Sequence, residues 1–138
     1  MENKNLKTIS IETFIHLKGS TDTIFNNFKR LVDSNIICPN NIRFVSIKYE
    51  VMKGITDEAP VKMFFEDGVA VFLDLTAGYS GSGPTTLKEI LHICFPEFNE
   101  EMLSIDISTP REVVDSSYIK NSSTAYQFEY EGNYYYAM

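Results

Sequence analysis

Apolar and polar residues alternate over 9–17, which predicts a strand with one buried face. The predicted buried face consists of Ile9, Ile11, Thr13, Ile15 and Leu17. His16 falls on the opposite, polar face, and Gly19 ends the segment. Residues 45–51 alternate in the same way and predict a second strand with one polar face.

Two further pairs of extended segments have the pattern of β-hairpins. Val61–Phe65 and 69–75 flank the turn residues Glu66-Asp67-Gly68, and 69–75 is so apolar that we expect it to be central in a sheet. At the C-terminal end, 126–130 alternates, Glu131-Gly132 has turn character, and 134–137 is again extended. The sequence therefore predicts a second, terminal hairpin.

Two segments have helical periodicity. The first follows Ser20 or Thr21, either of which can cap it, and should end before Pro39. Its apolar stripe consists of Ile24, Phe25, Phe28, Leu31 and Val32. In the second helix the predicted core positions are Leu87, Ile90, Leu91 and Cys94. Its start is open, because Thr86 with Glu89 has capping-box spacing whereas Pro84 suits a first turn one register earlier.

The pattern weakens between 96 and 123. There we expect a strand at 103–107 and a short helix at 110–119. No repeat or linker divides the chain, so 1–138 is predicted to be a single α+β domain. Its fold would be a mostly antiparallel sheet of about five to seven strands with two main helices.

Composition narrows the classes of partner and the compartment. The chain has 138 residues, of which 43% are hydrophobic, and a net charge of -7. The hydrophobic fraction is typical of a globular domain. The negative charge argues against nonspecific binding to nucleic-acid polymers or anionic membranes. The same charge favours a basic protein partner. Cys38 and Cys94 lie far apart, and no signal-type or membrane-spanning segment is present, so we expect a cytoplasmic protein with free thiols.

A glycine-rich loop between the segment 69–75 and the second helix is the strongest candidate site. Gly78, Gly81 and Gly83 would let backbone amides approach a ligand, and the helix start would favour an anion. The predicted hydroxyl donors are Ser80, Ser82, Thr85 and Thr86. Tyr79 could stack on a planar ring, and Lys88 is the nearest cation.

The same loop has a second interpretation and fits no named motif. Its G-x-x-G-x-G spacing is neither the dinucleotide fingerprint nor the P-loop, since Pro84-Thr85 follows where the P-loop has its lysine. The preceding hairpin also suggests antiparallel pairing, whereas a dinucleotide site needs a parallel βαβ unit. A capped strand-to-helix connection that binds nothing explains the glycines equally well.

Catalytic and metal chemistry have no motif in this chain. No CxxC, HxxxH or HExxH spacing occurs, and a zinc site would need His16, His92, Cys38 and a carboxylate to converge through folding. Ser80 with a histidine and Asp74 is a conceivable triad without a motif. We therefore predict no metal, no cofactor and no catalytic residue.

The C-terminal tyrosines have two interpretations. The residues concerned are Tyr126, Tyr130, Tyr134, Tyr135 and Tyr136. They could form an interface with another protein, because tyrosine offers rigid area with a polar tip. Alternatively, they line the core or cover the sheet.

Three functional hypotheses follow. The leading one is a small, non-catalytic cytosolic binding protein that holds a phosphate-bearing or nucleotide-like molecule at residues 78–86. The alternative is an acidic inhibitor or immunity-type protein that binds a basic partner through the tyrosine-rich terminal hairpin. A small hydrolase is the third hypothesis, and a homo-oligomer stays open.

Overall fold

The strands form one sheet, and two long helices pack together against one of its faces. The computed structural model describes residues 5–48, 60–77, 81–101, 103, 107, 115–119 and 124–137. In chain order the elements are β1 (Asn5–Leu17), α1 (Thr21–Asp33), a 3-10 turn (Pro39–Asn41), β2 (Ile42–Lys48), β3 (Val61–Phe65), β4 (Val69–Leu73), α2 (Ser82–Cys94), β5 (Asp115–Ile119) and β6 (Thr124–Ala137).

The sheet is mixed, with strand order β5-β2-β3-β4-β1-β6. The pairs β2–β3, β3–β4 and β2–β5 are antiparallel, whereas β1 pairs in parallel with both β4 and β6. This arrangement confirms the α+β class, the mostly antiparallel sheet and the two main helices. It also confirms the hairpin of β3 and β4, in which the turn is Glu66–Gly68.

Local sequence signals explain α1. The Ser20 hydroxyl accepts a hydrogen bond from the Thr23 N–H at 3.1 Å, which makes Ser20 the N-cap. Ile24, Phe28 and Leu31 are buried against the sheet, as their spacing predicts. The helix ends at Asp33, well before the proline that opens the 3-10 turn.

The observed start of α2 decides between its two predicted registers. The helix begins at Ser82, so Pro84 lies in the first turn and Thr86 is not a cap. All four predicted core positions of this helix are buried in the same cluster as those of α1. Among the described residues, neither helix is long and apolar enough to cross a membrane.

A β-bulge in β1 makes the strand change faces. The Gly68 carbonyl accepts hydrogen bonds from both the Glu12 and the Thr13 N–H groups, at 2.9 and 3.2 Å. Ile15 and Leu17 consequently belong to the main core below the helices, whereas Ile9 and Ile11 belong to a second cluster. The expected single apolar face over 9–17 is therefore wrong, because alternation does not reveal a residue inserted into the ladder.

The second cluster fills the concave side of a curled sheet. The Phe64 and Phe128 rings stack with centroids 4.2 Å apart, although two strands separate β3 from β6 in the sheet. A flat sheet would place those strands about 14 Å apart. The sheet must therefore curl, and β6 lies over the face opposite to the helices, with Phe44 also 5.9 Å from Phe128.

A charged cluster joins β1 to the outer end of the β3–β4 hairpin. The carboxylate of Glu66 accepts hydrogen bonds from Lys7 and from Arg43. The hydrogen bond from Lys7 is the largest cause that lowers the pKa of Glu66, and Arg43 adds to it, although desolvation acts in the opposite direction. The cluster links β1 to β2 across this turn.

The segment after α2 differs from its prediction. Among the described residues of this stretch, Glu100, Glu101, Leu103 and Ile107 are helical, not extended. The Glu101 N–H donates to the Asn99 side chain at 2.8 Å, which caps this helical segment. Leu103 and Ile107 are both buried, and their spacing of four suits one helix face.

The predicted helix at 110–119 is wrong over its last residues, since 115–119 form the strand β5. β5 pairs antiparallel with β2 along its whole length, and Tyr118 packs against the stacked rings of Phe95 and Phe98. Residues 110–114 lie outside the described residues. Pairing with β2 decides the structure here, and nothing in the local sequence reveals that partner.

The C-terminal segment is one long strand and not a hairpin. β6 runs parallel to β1, with Ile11 opposite Tyr130 and Thr13 opposite Tyr134. Residues 131–133 therefore form a bulge opposite Glu12, where the sequence predicted a turn. The predicted hairpin is wrong because Glu131-Gly132 can form either a turn or a bulge, and pairing with β1 on both sides selects the bulge.

Candidate functional site

The start of α2 carries the described part of the predicted glycine loop. Gly81 is the N-cap residue, with an extended backbone (φ 174°, ψ -173°) and no side-chain hydrogen bond that caps the helix. Gly78, Tyr79 and Ser80 lie outside the described residues. The first turn of α2 contains no acidic residue. Its positive dipole end is therefore not compensated from within the helix.

The predicted hydroxyl donors in α2 have different surroundings. Ser82 is exposed, and the exposed Thr85 hydroxyl donates to the Gly81 carbonyl at 2.8 Å. Thr86 is buried, so it faces the protein and not solvent. Lys88 is half-buried one turn further along the helix. A ligand at this helix start would thus meet the Ser82 hydroxyl most directly, while Thr85 would have to give up its bond to donate.

The backbone amides of the first turn are a second set of donors. Thr85 N–H donates to the Gly81 carbonyl at 3.1 Å, and Pro84 has no N–H. The first-turn amides without an acceptor inside the helix therefore belong to Ser82 and Gly83. Both precede the proline, so they form a compact pair at the helix end.

Parallel pairing brings the two helix starts to the same edge of the sheet. β1 and β4 pair in parallel from Thr13 opposite Val69 to Leu17 opposite Leu73. α1 begins after the carboxyl end of β1, and α2 begins after the carboxyl end of β4. β4 thus pairs antiparallel with β3, as the hairpin pattern suggested, and parallel with β1 on its other side. In open sheets with crossover helices, ligands bind in the crevice beyond the carboxyl ends of the strands.

A histidine–carboxylate pair lies at this edge. His16 Nε2 is 2.6 Å from Asp74 Oδ1, and the Asp74 N–H donates to the Leu17 carbonyl at 3.1 Å. Because an ionised carboxylate only accepts hydrogen bonds, the imidazole donates from Nε2. His16 is only 2% exposed, whereas 34% of the Asp74 side chain is exposed. The buried ring thus fixes a carboxylate that still reaches solvent.

The sequence located the two members of this pair but not their contact. Asp74 is the charge at the end of the apolar segment that leads into the glycine loop, and His16 is near the end of β1. The expected polar character of the face that carries His16 is wrong, because the bulge places it on the same side as the aromatic cluster, with Phe72 as its partner in β4. Only the parallel register of β1 and β4 places the two side chains together.

The other candidate chemistry is dispersed. His92 is half-buried in the last turn of α2, Cys38 is exposed, Cys94 is buried, and the two cysteines form no disulfide. Across the described side chains, no group of three or more His, Cys, Asp or Glu residues comes together that could hold a metal ion.

The tyrosine-rich segment is partly described. The Tyr126 ring is half-buried and stacks against Phe128, with centroids 6.3 Å apart. The side chains of Tyr130, Tyr134, Tyr135 and Tyr136 lie outside the described part of the structure, although their backbone belongs to β6. Tyr126 therefore covers the sheet, and an interface through the other tyrosines stays a prediction.

Comparisons of this chain with protein-family models, with curated proteins and with solved structures each give no match.

Proposed function

We propose that this chain is a small, non-catalytic binding protein that holds a phosphate-bearing or nucleotide-like anion at the start of α2. The observation that carries the proposal is the helix start at Gly81, which no side chain of the described residues caps, beyond the carboxyl ends of the parallel strands β1 and β4. The amides of Ser82 and Gly83 would donate to the ligand, and the helix dipole would favour its negative charge. Lys88 would supply the nearest cation along the helix.

The contrast between the two helices supports this location. α1 starts at the same edge, but the Ser20 side chain caps it and Asp22 compensates its dipole. α2 has neither device. An acceptor group from a ligand would complete the hydrogen bonds of α2 in the way that Ser20 completes those of α1.

Asp74 limits what such a ligand can be. Its carboxylate lies at the same edge, and the N–H of His16 compensates part of its charge. The exposed part of the carboxylate would repel a second anion but would accept a hydrogen bond from a hydroxyl or amino group. We therefore favour a ligand that combines an anionic group with hydroxyl or amino groups, as a nucleotide or sugar phosphate does, over inorganic phosphate.

The proposal is tested by thermal unfolding of the protein with nucleotides, cyclic nucleotides, sugar phosphates and inorganic phosphate. A ligand at ~100 times its dissociation constant adds about 2.7 kcal/mol to the free energy of unfolding, which raises the melting temperature by several degrees. A selective rise for one class of ligand would support the proposal. No rise with any compound would refute it.

Two variants of Gly81 locate the site. Its extended backbone accommodates any residue, so Gly81→Val should keep the fold while its side chain obstructs the helix start. Gly81→Ser would offer a cap to the Gly83 amide, so it should stabilise the free protein and compete with the ligand. Each variant should lose most of the ligand-induced rise in melting temperature, measured against its own ligand-free value. An undiminished rise in both would place the ligand elsewhere.

A matched pair of lysine variants separates local from general charge effects. Lys88→Gln should weaken binding, whereas Lys29→Gln removes the same charge from an exposed position of α1 and should leave affinity unchanged. Equal weakening by both would mean that only the net charge matters.

The proposed compartment is the cytoplasm. Its support is that Cys38 and Cys94 form no disulfide with each other, which is the usual state of cysteines in a reducing compartment. The small-hydrolase alternative would need a nucleophile beside the pair of His16 and Asp74, and it stays a prediction.

A further inference from the structure

The outer edge of β6 is a long row of backbone groups at the end of the sheet. β6 pairs with β1 on one side and with no other strand in the described part of the chain. It is 14 residues long and contains no Lys, Arg or Pro. Natural edge strands are usually short or carry such residues, because an open edge can pair with another chain. Over residues 124–130 the only charged residue is Glu129, and the bulge at residues 131–133 interrupts the edge only beyond this segment.

Regular geometry restricts the usable edge to residues 124–130. Over this segment each residue pairs with one residue of β1, from Asn5 opposite Thr124 to Ile11 opposite Tyr130. The bulge at residues 131–133 then interrupts the ladder. We infer that the outer edge of residues 124–130 pairs with an extended segment of a partner protein, in which apolar and basic residues alternate.

The concave face of β6 explains why alternate residues of the partner segment should be apolar. Tyr126 and Phe128 point into the concave face and are half-buried, and the half-buried Phe44 lies 5.9 Å from Phe128. Side chains of an added strand alternate between the faces of the sheet. Those on the concave side would cover the exposed parts of these rings, so apolar residues are favoured there.

The opposite face of β6 explains why the remaining residues of the partner segment should be basic. Gln127 and Glu129 are exposed. An added strand would place alternate side chains beside them, where opposite charges stabilise and like charges destabilise. A second copy of this chain would instead bring another acidic strand and another net charge of -7. Charge therefore favours a basic partner over self-association.

A synthetic peptide is the direct probe. Acetylated and amidated Lys-Val-Lys-Val-Lys-Val-Lys should bind at low salt and shift the NMR signals of the 124–130 amides. A peptide with the same residues in blocks, all valines followed by all lysines, should bind more weakly. Equal binding of the two peptides would show nonspecific charge attraction only and would overturn the inference.

Charge variants locate the contact. Glu129→Lys should weaken peptide binding by about threefold or more, since each cross-strand charge pair contributes modestly. Glu101→Lys changes an equally exposed acid outside β6 and should have no such effect. Both substitutions are on the surface, so neither should unfold the protein. The inference fails if the two variants weaken binding equally.

N-methylated peptides distinguish strand pairing from other modes of binding. A paired peptide presents alternate N–H groups to β6 and the others to solvent. Methylation of one alternating set should therefore abolish binding, while methylation of the other set should leave it nearly unchanged. Equal affinity of both methylated peptides would exclude pairing with this edge. A dimer of the free protein in analytical ultracentrifugation that dissociates in Glu129→Lys would show that a second copy occupies the edge, and would likewise refute a basic partner.

Discussion

Replacing Gly68 with alanine tests the contact between β1 and the β3–β4 turn. Gly68 has φ +88°, and its carbonyl accepts both hydrogen bonds of the bulge in β1. A Cβ atom built on Gly68 would lie 2.8 Å from the Ser10 carbonyl oxygen. That neighbour is backbone, so it cannot move aside as the end of a flexible side chain would.

The magnitude follows from two additive costs. An L-residue at this positive φ costs roughly 1–2 kcal/mol. The close approach to Ser10 forces the backbone apart and adds about 1–3 kcal/mol, as overpacking does in other cores. Gly68→Ala should therefore lower the free energy of unfolding by roughly 2–5 kcal/mol.

Gly19 provides the matched control. It also has a positive φ, +106°, but the nearest atom to its added Cβ would be Thr23 Cγ2 at 3.5 Å, an ordinary contact. Gly19→Ala should therefore cost only the roughly 1–2 kcal/mol of backbone strain. The difference between the two variants isolates the contact with Ser10.

Urea denaturation of the two variants and the parent measures this difference. The dependence of the free energy of unfolding on urea concentration (the m-value) should be the same in all three proteins, so that differences in midpoint report differences in stability. Hydrogen exchange at the Glu12 and Thr13 amides should also accelerate in Gly68→Ala, because both donate to the displaced carbonyl. If Gly68→Ala lowers the free energy of unfolding no more than Gly19→Ala does, the turn does not approach β1 as closely as described.

Two further predictions concern the charged cluster and the curled sheet. The lowered pKa of Glu66 stabilises the fold above the glutamate pKa of the unfolded chain, and this stabilisation is lost as pH falls through the lower folded value. The free energy of unfolding measured from pH 6 down to pH 3 should therefore fall less steeply in Glu66→Gln than in the parent. An equally steep fall in both proteins would contradict the proposed ion pairs of Glu66. For the sheet, a double-mutant cycle of Phe64→Leu and Phe128→Leu should give a coupling of about 0.5–1.5 kcal/mol, as stacked rings do. No coupling would mean that β6 does not lie over β3.

Local patterns determined the elements that depend on neighbours in sequence. The stripe of α1, its cap at Ser20 and the hairpin of β3 and β4 follow the predicted pattern. Each depends on helical spacing, a capping hydroxyl or turn residues, and these act within a few residues. The candidate glycine loop was also visible, since glycines directly before a helix are a local signal.

Tertiary structure alone decided the strand partners and everything that depends on them. The parallel pairing of β1 with β4 brings His16 to Asp74, although 58 residues separate them in sequence. The bulge at Glu12 depends on the Gly68 carbonyl, and Glu131-Gly132 is a bulge only because β6 continues beside β1. In each case the deciding hydrogen bonds come from a distant segment, so a pattern of local alternation and turn residues could not specify them.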